Sequence, residues 1–141
     1  MYKRILITTD GSNKSRMVAK DGIELAKALG AQVIALNVVN EVVITSAVRQ
    51  LGSDRKDAEA KLKAGGQKAV DEIKKMGDDA GIKVDAVLKI GFPANDIIDV
   101  ASSEKADLIV IGSHGESGEQ SIGSVVQKVV YWSTIPVLVV R

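Results

Sequence analysis

Cysteine is absent from this chain of 141 residues. Its absence excludes disulfide scaffolds, zinc–thiolate sites and thiol nucleophiles. Aromatic residues account for only 3% of the sequence, and the formal net charge is +1. The chain therefore has no strongly basic surface for nucleic acid or for an anionic membrane. Because no basic groove accompanies Tyr131 and Trp132, we interpret them as packing or interface residues rather than a platform for stacking bases.

Long hydrophobic runs are missing as well. No apolar stretch approaches the roughly 20 residues that a membrane-spanning helix needs, and the apolar run near the N-terminus is too short for a signal peptide. We therefore expect a cytoplasmic protein with no membrane and no nucleic-acid partner. Hydrophobic residues make up 45% and charged residues 26% of the chain, which is ordinary globular composition. The length suits one domain spanning residues 1–141.

Segments with the periodicity of strands and of helices alternate along the sequence. Apolar or alternating runs predict strands at 4–9, 32–39, 83–90, 107–111 and 136–140, and helical spacing of apolar residues predicts helices between them. Segment 42–49 fits either type, because periodicity does not assign so short a run. Five strands joined by four helical crossovers predict an α/β fold with an open, doubly wound parallel sheet and helices on both faces.

Two of the predicted strands differ in how their side chains alternate. Residues 107–111 are apolar on both faces, as a strand at the centre of a parallel sheet should be. Residues 83–90 largely alternate between apolar and charged side chains, which indicates an edge strand. In such sheets ligands bind at the carboxyl ends of the strands, where the strand order reverses. The loops after strands one, two and four are therefore the places to look for a binding site.

Three segments share a pattern with one known family. They are residues 3–12, which end in Asp10-Gly11-Ser12; residues 106–115, which end in Gly112-Ser113-His114-Gly115; and Gly123-Ser124-Val125 together with the apolar ending 135–141. In combination they resemble the universal stress protein family, over essentially the whole chain and in the family's order. The resemblance implies a sheet with strand order 3-2-1-4-5 and a nucleotide-binding regulatory function.

The ATP-binding branch of that family carries a glycine signature after the fourth strand: Gly, two residues, Gly, nine residues, then Gly-Ser or Gly-Thr. Gly112 and Gly115 match its first part, and Gly123-Ser124 matches its last part. Only seven residues, 116–122, lie between the two parts. The loop is therefore two residues shorter than the signature.

The shortened loop is also acidic. It contains Glu116 and Glu119 and no lysine or arginine, and the next basic residue is Lys128. Two carboxylates near a triphosphate raise the cost of binding it unless a metal intervenes or the carboxylates turn away. In addition, Thr8 stands where ATP-binding members often have proline. These differences bear on the triphosphate part of the site rather than on the fold.

The residue types at these positions suit a nucleotide. Glycines let backbone N–H groups approach an anion closely, and a helix that opens at Gly123-Ser124 points its free N–H groups at the loop. Serine hydroxyls donate to phosphate oxygens, the Asp10 carboxylate accepts from a ribose hydroxyl or an adenine amine, and Val38 offers the base an apolar contact. Together with the resemblance, this predicts ATP or another adenine nucleotide, with or without Mg²⁺ or Mn²⁺, at Thr8, Asp10, Val38, Gly112, Ser113, Gly115, Gly123, Ser124 and Val125.

Some of these residues have a purely structural interpretation. Asp10 either contacts a ligand or caps the turn and helix that follow it, and the sequence leaves both open. His114, the one histidine, has no positioned partner or nucleophile recognisable in the sequence, so we interpret it as a surface turn residue rather than a general base.

Three functional hypotheses follow. The first is a nucleotide-binding regulatory module without fast turnover. The second is a homodimeric stress protein that binds no nucleotide and acts through protein contacts, and the third is a slow ATPase or a related hydrolase. The final strand, 137–140, is apolar on both faces, yet the family's topology places it at an edge. We therefore expect a homodimer joined through this strand, with Tyr131 and Trp132 at the interface rim.

Overall fold

The fold is described from a computed structural model, which covers residues 1–114 and 122–141. Strands and helices alternate along it. In chain order they are β1 (Arg4–Thr8), α1 (Asn13–Leu29), β2 (Gln32–Asn40), α2 (Glu41–Leu51), α3 (Arg55–Ala80), β3 (Val84–Gly91), α4 (Pro93–Ser103), β4 (Leu108–Gly112), α5 (Ser124–Trp132) and β5 (Val137–Val140).

The five strands form one sheet in the order β3-β2-β1-β4-β5, and every neighbouring pair is parallel. The predicted fold class and strand order are confirmed. β1 lies in the middle, with β2 on one side and β4 on the other. The strand order reverses at this point, so the carboxyl ends of β1 and β4 diverge into a crevice where ligands of such sheets bind.

The sheet is covered on both faces, and successive residues of its central strands belong to opposite layers. Ile5 and Ile7 pack with α1 and α3 in one core cluster, whereas Leu6 packs with α4 and α5 in the other. All three side chains are fully buried. Burial on both faces explains why the β1 and β4 segments read as continuous apolar runs.

The crossover between β2 and β3 contains two helices rather than one. Segment 42–49, which fitted either type, lies inside α2. Asn40 caps this helix by accepting a hydrogen bond from the Val42 amide, and Gly52 ends it in the left-handed conformation. The fully buried Ile44 anchors α2, and Glu41 in its first turn pairs with Arg55 at 2.7 Å. The following helix begins at Arg55, because Asp54 caps it.

Both edges of the sheet differ from its centre. On β3, Val84 is buried, while Ala86 and Lys89 are exposed, in agreement with the predicted edge strand. On β5, Leu138 is 42% exposed, although the residues on either side of it pack against a core cluster. Within residues 1–114 and 122–141, no helix combines the length and apolarity required to cross a bilayer.

Candidate functional site

A cleft of about 460 Å³ opens at the carboxyl ends of β1, β2 and β4. Its volume falls within the range of about 300–1,000 Å³ that is usual for small-molecule sites. The turn after β1, the loop after β4, the start of α5 and apolar side chains of β2 and α4 all line it. The lining includes Thr8, Thr9, Asp10, Ser15, Leu36, Asn37, Val38, Ile97, Ile111, Gly112, Ser113, His114, Gly123, Ser124 and Val125.

The turn after β1 is built by its own hydrogen bonds. Gly11 adopts φ = 83°, a left-handed conformation that costs glycine little and other residues considerably more. This brings the Ser12 amide to 2.9 Å from Asp10 Oδ1. Ser12 is the N-cap of α1, and its side chain accepts from the amide of Ser15. The turn and the first turn of α1 therefore form one hydrogen-bonded unit.

Of the two roles that the sequence left open for Asp10, the structure shows the capping role and leaves one oxygen free for a ligand. Its Oδ1 atom accepts from the Ser12 amide at 2.9 Å and from the Ser15 hydroxyl at 2.5 Å, so this oxygen caps the turn. Its Oδ2 atom accepts no hydrogen bond from any residue that the structure describes, and the residue lines the cleft. A carboxylate oxygen with free lone pairs is available to a donor in the cleft.

Hydrogen bonding also sets the charge of Asp10. Desolvation raises the pKa of its carboxyl group, but hydrogen bonds from Ser12 and Ser15 favour the ionised form more strongly. The net pKa is lower than the ordinary value of an aspartate. Asp10 is therefore a carboxylate at neutral pH and acts only as a hydrogen-bond acceptor.

The part of the lining that comes from the end of β4 and the start of α5 offers backbone and hydroxyl groups. Gly123 is the N-cap of α5, and no side chain caps that helix. The Gly123 amide donates to the carbonyl of Ser113 at 2.9 Å, which ties the start of α5 to the end of β4. The first N–H groups of an uncapped helix are orphan donors, and this end of the helix dipole favours an anion.

His114 has a partner, contrary to the interpretation from the sequence. Its Nδ1 atom lies 2.6 Å from the hydroxyl of Ser113, a side chain that is only 1% exposed. The Nε2 atom is buried and has no hydrogen-bond partner among the described residues. An unpaired buried polar atom costs about 1–3 kcal/mol. A cleft ligand or water that pairs with Nε2 would relieve that cost.

These features can be compared with known proteins. The model of the universal stress protein family matches residues 1–141. Universal stress protein MJ0531 of Methanocaldococcus jannaschii is 40% identical over 143 residues, which cover 100% of this chain and 83% of that protein. The chain belongs to the universal stress protein family. The resemblance carried by the three sequence segments is thereby confirmed.

Solved structures of universal stress proteins share the fold. Hypothetical protein MJ0577 of the same organism superposes with a TM-score of 0.83 at 33% identity, covering 99% of this chain and 96% of that chain. The universal stress protein from Archaeoglobus fulgidus in complex with dAMP superposes with a TM-score of 0.70 at 23% identity, covering 99% and 98%. At that lower identity the likeness concerns the fold alone.

The structure brings eight of the nine predicted site residues of this universal stress protein into one cleft. They are Thr8, Asp10, Val38, Gly112, Ser113, Gly123, Ser124 and Val125. The ninth, Gly115, lies outside the described residues, as do Glu116 and Glu119. Whether the eight contact a ligand stays a prediction.

Sequence reasoning missed four polar residues that line the cleft, Thr9, Ser15, Asn37 and Asn40, and two of these hold neighbouring residues in place. Ser15 lies at the third position of α1 and bonds to Asp10, and Asn37 donates from its amide to the carbonyl of Thr9 at 2.7 Å. Asn37 is 7% exposed and is the one polar residue between Val33 and Val39 in an otherwise apolar strand. A lone amide in a buried strand needs a partner, and this signal could have revealed it.

Metal ligands do not cluster in the described part of the chain. Within residues 1–114 and 122–141, no group of three or more histidine, aspartate or glutamate side chains could hold a metal ion. A Mg²⁺ or Mn²⁺ ion that accompanied a nucleotide would take ligands from its phosphates and from water, as Mg²⁺ commonly does.

Proposed function

We propose that this universal stress protein is a regulatory module that binds an adenine nucleotide in the cleft at the carboxyl ends of β1, β2 and β4. The observation that carries the proposal is that two different chemistries line one cleft. Asp10 offers a free carboxylate oxygen, and Gly123 opens an uncapped helix. A nucleotide carries the matching groups, hydroxyl and amine donors on its nucleoside and acceptor oxygens on its phosphates.

Charge limits which nucleotide the cleft favours. Among the described residues that line it, Asp10 and His114 are the ionisable ones, so phosphate charge would be met chiefly by backbone and hydroxyl dipoles. The adjoining loop contributes Glu116 and Glu119, and carboxylates repel additional phosphate charge. We therefore propose that nucleotides with few phosphates bind better than ATP alone, and that Mg²⁺ or Mn²⁺ improves the binding of ATP.

The apolar part of the cleft lining suits a purine base. Leu36 is buried and Val38 is half-buried at the end of β2, while Ile97 of α4 is buried across from them. Apolar walls with a few placed polar groups are typical of small-molecule sites. A further support is the Archaeoglobus fulgidus relative of the same fold, which was solved with dAMP.

Mass spectrometry of natively purified and then denatured protein tests the proposal, because a tightly held nucleotide is released on denaturation. Calorimetry with AMP, ADP and ATP then measures affinity for wild type and for Gly123→Val. Gly123 has φ = −66°, which valine also adopts, so this variant should fold but lose most of the binding heat. Gly65→Ala is the control, since Gly65 has open space around it. Equal binding by wild type and Gly123→Val would place the site elsewhere.

A second candidate function is favoured by the edge formed by β5 and α5. Tyr131, Trp132 and Leu138 are 82%, 54% and 42% exposed, an unusual concentration of large apolar side chains beside a strand edge. We propose that β5 pairs with β5 of a second copy and that the protein also acts through protein contacts. This function is independent of nucleotide binding, and the two can coexist.

A further inference from the structure

Asp10 and Ser15 form a closed hydrogen-bonded ring between the end of β1 and the first turn of α1. The Ser15 hydroxyl donates to Asp10 Oδ1 at 2.5 Å, and the same hydroxyl oxygen accepts from the Asp10 amide at 3.2 Å. Both the backbone and the carboxylate of Asp10 are therefore held by one side chain. The Ser12 amide adds a second bond to the same carboxylate oxygen.

This ring determines which oxygen of Asp10 remains for a ligand. Oδ1 takes two hydrogen bonds from the turn, whereas Oδ2 takes none from the described residues. Rotation of the carboxylate would break both bonds to Oδ1, and bonds to an ionised acceptor are about twice as strong as neutral ones. The ring therefore restricts the orientation of the carboxylate before any ligand arrives, which reduces the ordering cost of binding.

We propose that Ser15 is a positioning residue of the nucleotide site, which holds Asp10 so that Oδ2 accepts a hydrogen bond from a ligand hydroxyl or amine. This inference rests on the proposed function. The ligand chemistry it selects is a hydrogen-bond donor, since an ionised carboxylate has no proton to donate. In an adenine nucleotide the donor is either a ribose hydroxyl or the exocyclic amine.

Other charged groups near this turn have partners or line an adjoining hollow. Arg16, the next residue of α1, donates to Glu72 of α3 at 2.7 Å. Lys14, Asp21 and Arg141 line a hollow of about 110 Å³ that Ser15 and His114 also border. The lowered pKa of Asp10 comes from hydrogen bonds, those of Ser12 and Ser15 first, and from none of these charged groups.

The first arm of the test needs no ligand. Titration of Asp10 in the free protein, followed through its carboxyl carbon by NMR, should show a higher pKa in Ser15→Ala than in wild type. Ser15→Thr keeps the hydroxyl and should restore the wild-type pKa. Ser102→Ala removes an exposed hydroxyl of α4 and should leave it unchanged. A loss of stability alone would not reproduce this pattern, and thermal melts confirm that each variant is folded.

The second arm measures AMP affinity by calorimetry at neutral pH. Loss of orientation at one charge-assisted contact should weaken binding by about tenfold in Ser15→Ala, with recovery in Ser15→Thr. Inosine monophosphate lacks the amine, and dideoxyadenosine monophosphate lacks both ribose hydroxyls. One of these analogues should bind wild type more weakly than AMP does, and Ser15→Ala should not weaken its binding further. The group that this analogue lacks is the donor to Asp10.

The outcomes separate the two proposals. No AMP binding by wild type would refute the proposed function, and with it the ligand role of Ser15, whatever the titration shows. If wild type binds AMP, then Ser15→Ala with unchanged affinity and unchanged Asp10 pKa would overturn the positioning role alone. Weaker AMP binding by Ser102→Ala to the same degree would overturn it as well, because the effect would then not be specific to the ring.

Discussion

Replacing Gly66 by alanine should destabilise this protein, even though alanine is the better helix former. Gly66 is buried in the middle of α3, where glycine costs roughly 1 kcal/mol relative to alanine. A Cβ atom there would overlap the Asn37 Oδ1 atom and lie 2.7 Å from Leu88 Cδ1 and 3.1 Å from Asn37 Cγ. Leu88 is half-buried on the edge strand and can rotate away. Asn37 is buried and donates to the Thr9 carbonyl at 2.7 Å, so it has to give up that bond or push α3 outward.

The sizes of these opposing effects decide whether Gly66→Ala raises or lowers the free energy of unfolding. Breaking a buried hydrogen bond costs about 1–3 kcal/mol, and overpacking costs about 1–3 kcal/mol, against a propensity gain of roughly 1 kcal/mol. We expect Gly66→Ala to lower the free energy of unfolding by about 1–3 kcal/mol. Gly65→Ala is the matched control in the same helix, because nothing lies within 4 Å of its added Cβ. That variant should gain roughly 0.5–1 kcal/mol.

Urea denaturation of wild type, Gly66→Ala and Gly65→Ala measures both effects, provided that the slope of the transition is unchanged. Gly66→Ala should also weaken AMP binding, since Asn37 holds the strand end next to Asp10. Gly65→Ala should bind AMP as wild type does. If both variants are stabilised to the same degree, the close contact between Gly66 and Asn37 does not constrain the fold and the reasoning is wrong.

Three further predictions concern assembly, the acidic loop and pH. We expect wild type to sediment as a dimer at micromolar concentration and Leu138→Lys as a monomer, with Met17→Lys on α1, 70% exposed, as the control; a monomeric wild type would refute pairing through β5. Changing Glu116 and Glu119 together to glutamine should tighten the binding of metal-free ATP in calorimetry, and unchanged or weaker binding would show that these carboxylates do not oppose the phosphates. Because the folded-state pKa of Asp10 is lowered, its hydrogen bonds stabilise the fold at neutral pH and this contribution is lost as the pH falls through that pKa. In Asp10→Asn the melting temperature should fall less as the pH is lowered, and a fall as steep as that of wild type would contradict the prediction.

Much of the fold was predictable because its signals are local. The apolar character of β1 and β4 on both faces follows from their central places in a parallel sheet. The strand order came from the resemblance, since periodicity alone does not say which strands are neighbours. The type of α2 was not predictable from periodicity, because Asn40 and Gly52 act through caps and Ile44 through tertiary burial.

The lining of the cleft was predictable where a residue acts through its own chemistry. Asp10 and Gly123 follow that rule, because a carboxylate and a helix-opening glycine keep their properties in any fold. Ser15 and Asn37 act by holding other residues, and their partners are set by geometry. Ser15 becomes relevant only when the first turn of α1 brings it back to Asp10, and Asn37 only when Gly66 leaves it room.

The central place of β1 has a consequence for how the chain folds during synthesis. β1 pairs with β2, which follows it closely, but also with β4, whose residue Leu108 pairs with Ile5. Until the ribosome has made β4, one edge of this buried strand stays open to other chains. β1, β2 and β3 can assemble first, and a chain that stalls before β4 would expose that edge. Truncated products ending near residue 100 should therefore depend more on chaperones than the 141-residue chain does.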